Sequence, residues 1–173
     1  IVHFHGFDLS SALHNSWYLL GIKQLVRSGA QIVVPSQHMK RLLVIAIGAS
    51  ARVEVIPYGP DLELARSLRS QSKAKVPTLS ALGRMTAKKN PLALVEAFRL
   101  VHEQVPAAQL EWVGDGELMG AVKERIKEYG LGNAITLHGA LPHTAALEVM
   151  ASTQVFVQHS VTALSGDQEG LPV

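Results

Sequence analysis

The sequence predicts an α/β fold, built from parallel sheets with helices packed on both faces. Two observations carry this. Short apolar, β-branched runs alternate with segments of helical spacing along the chain, and the strand-to-helix turns of the second half are marked by glycine at Gly83, Gly114 and Gly139. A strand that passes through a helix returns to its sheet parallel, and the helices cover both faces. Ligands in such sheets bind beyond the carboxyl ends of the strands. The turns at Gly83, Gly114, Gly139 and His159 are therefore expected along one edge.

The elements follow in order. IVHFHG (Ile1 to Gly6) is a buried strand meeting a glycine, with His3 and His5 on one face because strand side chains alternate. FDLSS supplies caps for a helix around Leu13 to Arg27, with Leu13, Trp17 and Leu20 as its apolar stripe and Gly29 as its stop. Gln31 to Ser36 is the next strand. Ser36 caps a helix carrying Met39, Leu42 and Leu43, which Gly48 closes. Arg52 to Gly59 is a third strand. After Asp61 the composition turns polar: Ala65 to Val76 has four cations and no acid, which suits a linker. Strands at Leu79 to Leu82, Gln109 to Val113, Ala134 to His138 and Val155 to His159 then alternate with helices. These helices are expected at Pro91 to Gln104, along Leu118, Val122, Ile126 and Tyr129, and near Thr144 to Ala151.

Bulk properties narrow the functional classes. At 47% hydrophobic and 17% charged, the 173 residues can build a core and do not suit a disordered chain. A net charge of +2 and only 5% aromatic residues argue against nucleic acid. The absence of cysteine excludes disulfides and cysteine-ligated zinc. The apolar run Leu42 to Ile47 is too short to span a bilayer, and no signal peptide is visible. A start inside a strand without Met, and a stop after a glycine-proline turn, lead us to expect an internal piece of a longer protein.

The chemistry centres on Ala81 to Phe98. Gly83 ends a strand, Asn90 is a good N-cap, Pro91 suits the first helical position, and Leu94, Val95, Phe98 and Val101 give an apolar stripe. Arg84 and Lys89 flank a turn aimed at a helix N-terminus, whose unpaired N–H groups carry partial positive charge. Together they make a cradle for a phosphorylated ligand. Solvated surface cations are the competing reading.

Three other features are weaker. His5, at a strand end beside Gly6, can reach a ligand, although a rim histidine held by a backbone carbonyl would look the same. His3-Phe4-His5 has the H-x-H spacing of some metal sites, but no cysteine or carboxylate cluster completes a ligand set. Gly114-Asp115-Gly116 is a tight turn, and most such turns are only turns. Asp167 and Glu169, in a glycine-rich loop, can accept hydrogen bonds from hydroxyls or serve only as a solvated acidic loop.

Taken in order, HFHGFD, PSQHMKRLL, VIPYGPD, GRMTAKKN, WVGDGE, the Gly139 turn and QHSVTALSGDQEGLPV resemble the retaining glycosyltransferases of the GT-B fold, glycosyltransferase family 4. The last segment is similar to the acidic loop of bacterial exopolysaccharide and colanic-acid-type members. The resemblance covers nearly the whole chain.

The resemblance implies a two-domain enzyme. Residues 1–64 would close the acceptor-side Rossmann-like domain, 65–76 would link, and 77–173 would form an incomplete nucleotide-sugar-binding domain. It implies that Arg84 and Lys89 bind the donor diphosphate and that Glu169, Gly170, Leu171 and Val173 contact the donor sugar. Gly139, Ala140 and Leu141 would lie on the nucleobase side, and His5 beside the donor sugar as the catalytic residue. The expected activity is sugar transfer with retention from a UDP- or GDP-sugar to a glycan or lipid-linked acceptor, in bacterial polysaccharide synthesis, with no metal and no cofactor. No nucleic-acid partner is expected. The place of work would be the cytoplasm or the inner face of the cell membrane, where the full-length protein could make peripheral contact.

Some residues depart from the family pattern. Asn90 stands where the loop usually has Gly, Pro60 replaces a usual Val, and Pro172 has no N–H to donate. The second Glu of the E-x7-E motif would fall beyond Val173, so the piece by itself is expected to be inactive. The alternatives are a GT-B sugar-nucleotide epimerase or phosphorylase, and a non-catalytic nucleotide-sugar-binding module.

Overall fold

The structure, a computed structural model, describes residues 1–48, 52–59, 61–68 and 72–171. They fall into two compact units. The first holds residues up to 60 together with the segment from Val161, and the second holds Asp61–Ser160.

In the first unit three parallel strands lie in the order β1 (Val2–His3), β2 (Ile32–Val34), β3 (Val53–Val55). Helix α1 (Ser16–Arg27) connects β1 to β2, and α2 (Gln37–Ile47) connects β2 to β3. Both crossovers step the same way across the sheet, so their common handedness puts both helices on one face. Ile22 of α1 and Met39 and Leu43 of α2 close there over Ile32, Val34 and Val53.

The sequence reading of α1 needs correction. Asn15, not FDLSS, caps the helix: its side-chain oxygen accepts from the Trp17 and Tyr18 amides at 3.0 and 3.2 Å. Leu13 lies upstream in a 3-10 turn (Ser11–His14), and the extended Asn15 resets the phase between them. The inward stripe is Tyr18, Ile22 and Val26, while Trp17 is 84% exposed. At α2 the expectation holds: Ser36 Oγ accepts from the Met39 amide at 3.2 Å and Gly48 ends the helix at φ 93°.

By their contacts, residues 161–171 group with this first unit. Gly6 makes this possible. A Cβ there would sit 2.6 Å from the Gln168 carbonyl oxygen and 3.0 Å from the Gly170 amide. Buried Ser10 joins the two segments: its hydroxyl donates to the Gly6 carbonyl at 2.7 Å and accepts from the Gln168 amide at 3.2 Å. Ser36 donates to the Gly170 carbonyl at 2.9 Å and Tyr58 to that of Leu171 at 2.9 Å.

In the second unit four parallel strands lie in the order β6-β5-β4-β7. They are β4 (Thr78–Leu82), β5 (Gln109–Val113), β6 (Ile135–Gly139) and β7 (Val155–Phe156). Between Asp61 and β4, α3 (Leu62–Leu68) occupies the start of the segment read as a linker, its first turn capped by the Asp61 carboxylate. The compact units divide at 60/61.

Helices α4 (Pro91–Gln104) and α5 (Met119–Glu128) step one way along the sheet, and α6 (His143–Ser152) steps back past β5 and β4 to reach β7. The first two therefore cover one face and α6 the other. Leu94, Val95 and Phe98 of α4 and Val122 and Ile126 of α5 bury Ala81, Leu110, Trp112 and Ile135. Val101, expected in that stripe, is 37% exposed. On the opposite face, buried Ser80 and Thr153 share a hydroxyl hydrogen bond of 2.7 Å. At the outer surface Tyr129 donates to Glu96 at 2.5 Å, tying α5 to α4. That bond, and then Arg99, hold the Glu96 carboxyl below its ordinary range.

The first two βα turns are laced together. A Cβ on Gly114 (φ 138°) would lie 1.9 Å from the Gly83 carbonyl oxygen, and one on Gly116 (φ 158°) 2.6 Å from that of Met85. The Met85 amide donates to Asp115 O at 2.9 Å, and Leu118 N donates back to Met85 O at 3.0 Å.

Two outcomes test this packing. Gly114→Ala should lower unfolding stability by about 2 kcal/mol or more, through overpacking against fixed backbone. Gly132→Ala, whose Cβ would meet nothing within 4 Å, should stay within about 0.5 kcal/mol. Urea melts of both variants read the difference. Gly6→Ala should displace residues 168–170, and hydrogen exchange at the Gln168 amide should quicken about tenfold or more, as that amide loses its bond to Ser10.

Candidate functional site

The second unit carries a small pocket at the carboxyl ends of β4 and β7, the two strands between which the chain reverses direction across the sheet. There α4 leaves β4 over one face of the sheet, while α6 comes to β7 from the other. Gly83 and Arg84 line it from the β4 turn and Gln158 and His159 from the end of β7, while Lys89 and Pro91 close it from the start of α4. Ala81, Leu94 and Trp112 form its apolar floor.

The paired cations read from the sequence thus line one pocket. Arg84 is exposed, held in the turn that Gly114 and Gly116 brace. Lys89 is half-buried at the end of a 3-10 turn (Ala87–Lys89), its Cε 3.7 Å from where a Cβ on Gly83 would stand.

Asn90 does not act as the expected cap. Its backbone is left-handed, φ 43° and ψ 56°, and its side chain makes no capping bond. A capping residue is normally extended, so that its oxygen can turn back onto the first amides; a left-handed residue aims its side chain elsewhere. The same angles account for Asn standing where the family pattern has Gly, since Asn is among the few residues that tolerate this conformation. The Asn90 carbonyl accepts from His159 Nε2 at 3.0 Å, which ties β7 to the entry of α4. Sequence reading put His159 at the ligand edge, at the end of the last strand, without naming it a site residue.

Gly139, at φ 69°, ends β6, and its carbonyl accepts the Gly114 amide at 2.8 Å. Ala140 and Leu141 follow in the turn before α6. The carboxyl-edge turns of β4, β5 and β6 are therefore adjacent in this unit.

The remaining candidates lie in the first unit. His5 is exposed just past β1, its ring 5.7 Å from that of Tyr58, and its amide donates to Asp8 Oδ2 at 2.9 Å. Glu169 and Gly170 are brought beside it by the Gly6 contact, and Leu171 by Tyr58. Val173 and Pro172 lie outside the described residues, as does Pro60. Ser10, Ser36 and Tyr58, which hold this loop, had no signal in the sequence, because their partners are more than a hundred positions away. Among the described residues no group of three or more His, Asp or Glu gathers at His3 and His5 or elsewhere in a metal-binding arrangement.

The chain is 26% identical over 171 residues, 98% of its length, to the Escherichia coli (strain K12) protein WcaL, whose name assigns it to colanic acid biosynthesis. It is 24% identical over 176 aligned residues to the amylovoran biosynthesis glycosyltransferase AmsK of Erwinia amylovora. It spans 42% of the length of each. Among solved structures, Anabaena Alr3699/HepE in complex with UDP and glucose superposes with a TM-score of 0.71 at 20% identity, over 92% of this chain and 46% of that one. That likeness gives the GT-B type of fold. The family model for glycosyl transferases group 1 matches residues 63–173, which include the whole pocket, and the chain belongs to that family.

Proposed function

We propose that the protein containing this chain transfers a sugar from a nucleoside-diphosphate sugar to a glycan or lipid-linked acceptor in bacterial polysaccharide synthesis, with retention of anomeric configuration. One observation carries the reading: Arg84 and Lys89 line the same pocket at the switch point of the second unit. As the glycosidic bond to the diphosphate breaks, negative charge collects on the departing phosphate oxygens. Fixed cations over a helix N-terminus stabilise that charge and need not reorganise as it develops. Trp112 and Leu94 under the cations lower the local polarity and strengthen the attraction.

In this reading Gly139, Ala140 and Leu141 take the nucleobase, at the turn next to the one that holds Arg84. His5 and Glu169 serve the donor sugar: the carboxylate accepts from its hydroxyls, and the imidazole steadies the hydroxyl nearest the reacting carbon. Their placement in one unit, joined through Gly6, supports a shared task. The relatives WcaL and AmsK support a polysaccharide product, and the UDP and glucose bound by the Anabaena protein support a UDP-sugar as the first donor to try.

Two measurements test this. Calorimetry with UDP and GDP should show affinity falling about tenfold or more in Arg84→Ala and again in Lys89→Ala, the loss expected for one charge-assisted contact each. Unchanged affinity in both variants would remove the diphosphate assignment. Transfer from a radiolabelled UDP-sugar by the full-length protein should proceed unchanged in EDTA. Loss of transfer that a divalent ion restores would require a metal in its place, and interconversion of the donor without an acceptor product would indicate an epimerase.

A further inference from the structure

We propose that His159 is a third source of positive charge in the pocket of the second unit, and that its ring takes up a proton as a nucleoside diphosphate binds. The proposal rests on the diphosphate reading of that pocket and adds a residue and a proton to it. His159 is half-buried at the end of β7 and lines the same small space as Arg84 and Lys89. A backbone carbonyl only accepts, so the 3.0 Å bond to the Asn90 oxygen makes Nε2 the donor of the ring. Nδ1 is then the acceptor of the neutral imidazole, and a second proton must join there. Among the described residues Nδ1 has no hydrogen-bond partner.

Protonation at Nδ1 leaves the Nε2–H where it is. The tie between β7 and the entry of α4 is therefore the same in both charge states. The ring can gain its charge with Asn90, and Lys89 before it, left in place. An imidazolium shares its charge over the whole ring, so a ring in the pocket wall presents that charge to whatever fills the pocket.

The surroundings decide when the charge is favoured. Arg84, on the β4 turn, and Lys89, on the 3-10 turn, are the charged groups that share the pocket lining with His159, and no Asp or Glu belongs to that lining. On the neighbouring elements, Lys88 of the same 3-10 turn, Asp115 and Glu117 of the turn after β5, and His143 at the start of α6 lie outside it. Glu96, the first charged residue of α4, is held at the outer surface by Tyr129 and Arg99. A counter-ion for the imidazolium thus arrives only with the ligand. A diphosphate on Arg84 and Lys89 sets its negative charges against the same wall, and an opposite charge within about 4–6 Å favours the protonated ring. The sign follows from this. The complex holds the extra proton more firmly than the empty pocket, so binding takes up protons and tightens as pH falls. A histidine that served only as a structural tie would make the Asn90 bond without this linkage.

Calorimetry of UDP and GDP binding to the full-length protein between pH 6 and pH 8 tests this, with His159→Gln, which takes no charge, measured alongside. The titration of the ligand's own phosphate is common to both proteins and cancels in the comparison. From pH 8 to pH 6 the wild-type affinity should rise about fivefold more than that of His159→Gln, as expected for a ring that holds its proton about tenfold more tightly in the complex. At pH 7, titrations in buffers of different ionisation enthalpy should show about half a proton more taken up by the wild type. Equal pH dependence and equal proton uptake in the two proteins would overturn the proposal and leave the diphosphate reading standing, since Arg84→Ala and Lys89→Ala judge that reading separately. A wild type that binds neither UDP nor GDP would overturn both. If His159→Gln does not fold, 15N spectra of the wild-type histidine rings decide: UDP at pH 7 should move the His159 Nδ1 resonance toward the imidazolium position, and an unmoved resonance would overturn the proposal.

Discussion

The carbonyl of Gly83 occupies the space where any side chain on residue 114 would have to begin. That backbone contact orders the pocket of the second unit. With no Cβ at 114 or 116, the turn after β5 lies directly on the turn after β4, and each trades a backbone hydrogen bond with the other. The turn carrying Arg84 is thus held by main chain on one side and by the buried Met85 side chain beneath it. A guanidinium placed this way reaches the pocket from a rigid base, so less order must be supplied when a ligand binds.

The other cation is placed by a different device. Lys89 ends a 3-10 turn, and the chain enters α4 through Asn90 in a left-handed conformation. That reversal leaves the first turn of α4 without a side-chain cap and brings Pro91 and Lys89 together at the pocket rim. His159 fastens the Asn90 carbonyl and so links the last strand of the sheet to the start of its first helix. Both ends of the switch point are therefore coupled through one residue whose conformation glycine would share.

In the first unit the comparable constraint is at Gly6. Its bare backbone lets residues 168–170 lie against it, and the Ser10 hydroxyl serves both segments at once. The histidine that follows β1 and the acidic loop from the far end of the chain thereby share one neighbourhood. The helices of this unit bury little beyond one stripe each, and their outward sides are free to carry charge and large apolar tips.

The succession of strands and helices was legible in the residues, because strands buried on both faces read as short apolar runs and helices as stripes of period 3.6. The glycine turns, the Ser36 cap and the pairing of Arg84 with Lys89 were legible too, since each depends on neighbours a few positions away. The phase of α1 was not. Trp17 and Leu20 have the right spacing for a core stripe, yet Asn15 restarts the count and the sheet selects Tyr18, Ile22 and Val26. The meaning of Gly114 and Gly6 was hidden for the same reason: what fills the space beside them comes from residues 31 and more than 160 positions away. Local chemistry decides which elements form. Only the assembled sheets decide which side of each faces inward and which distant backbones come close enough to exclude a side chain.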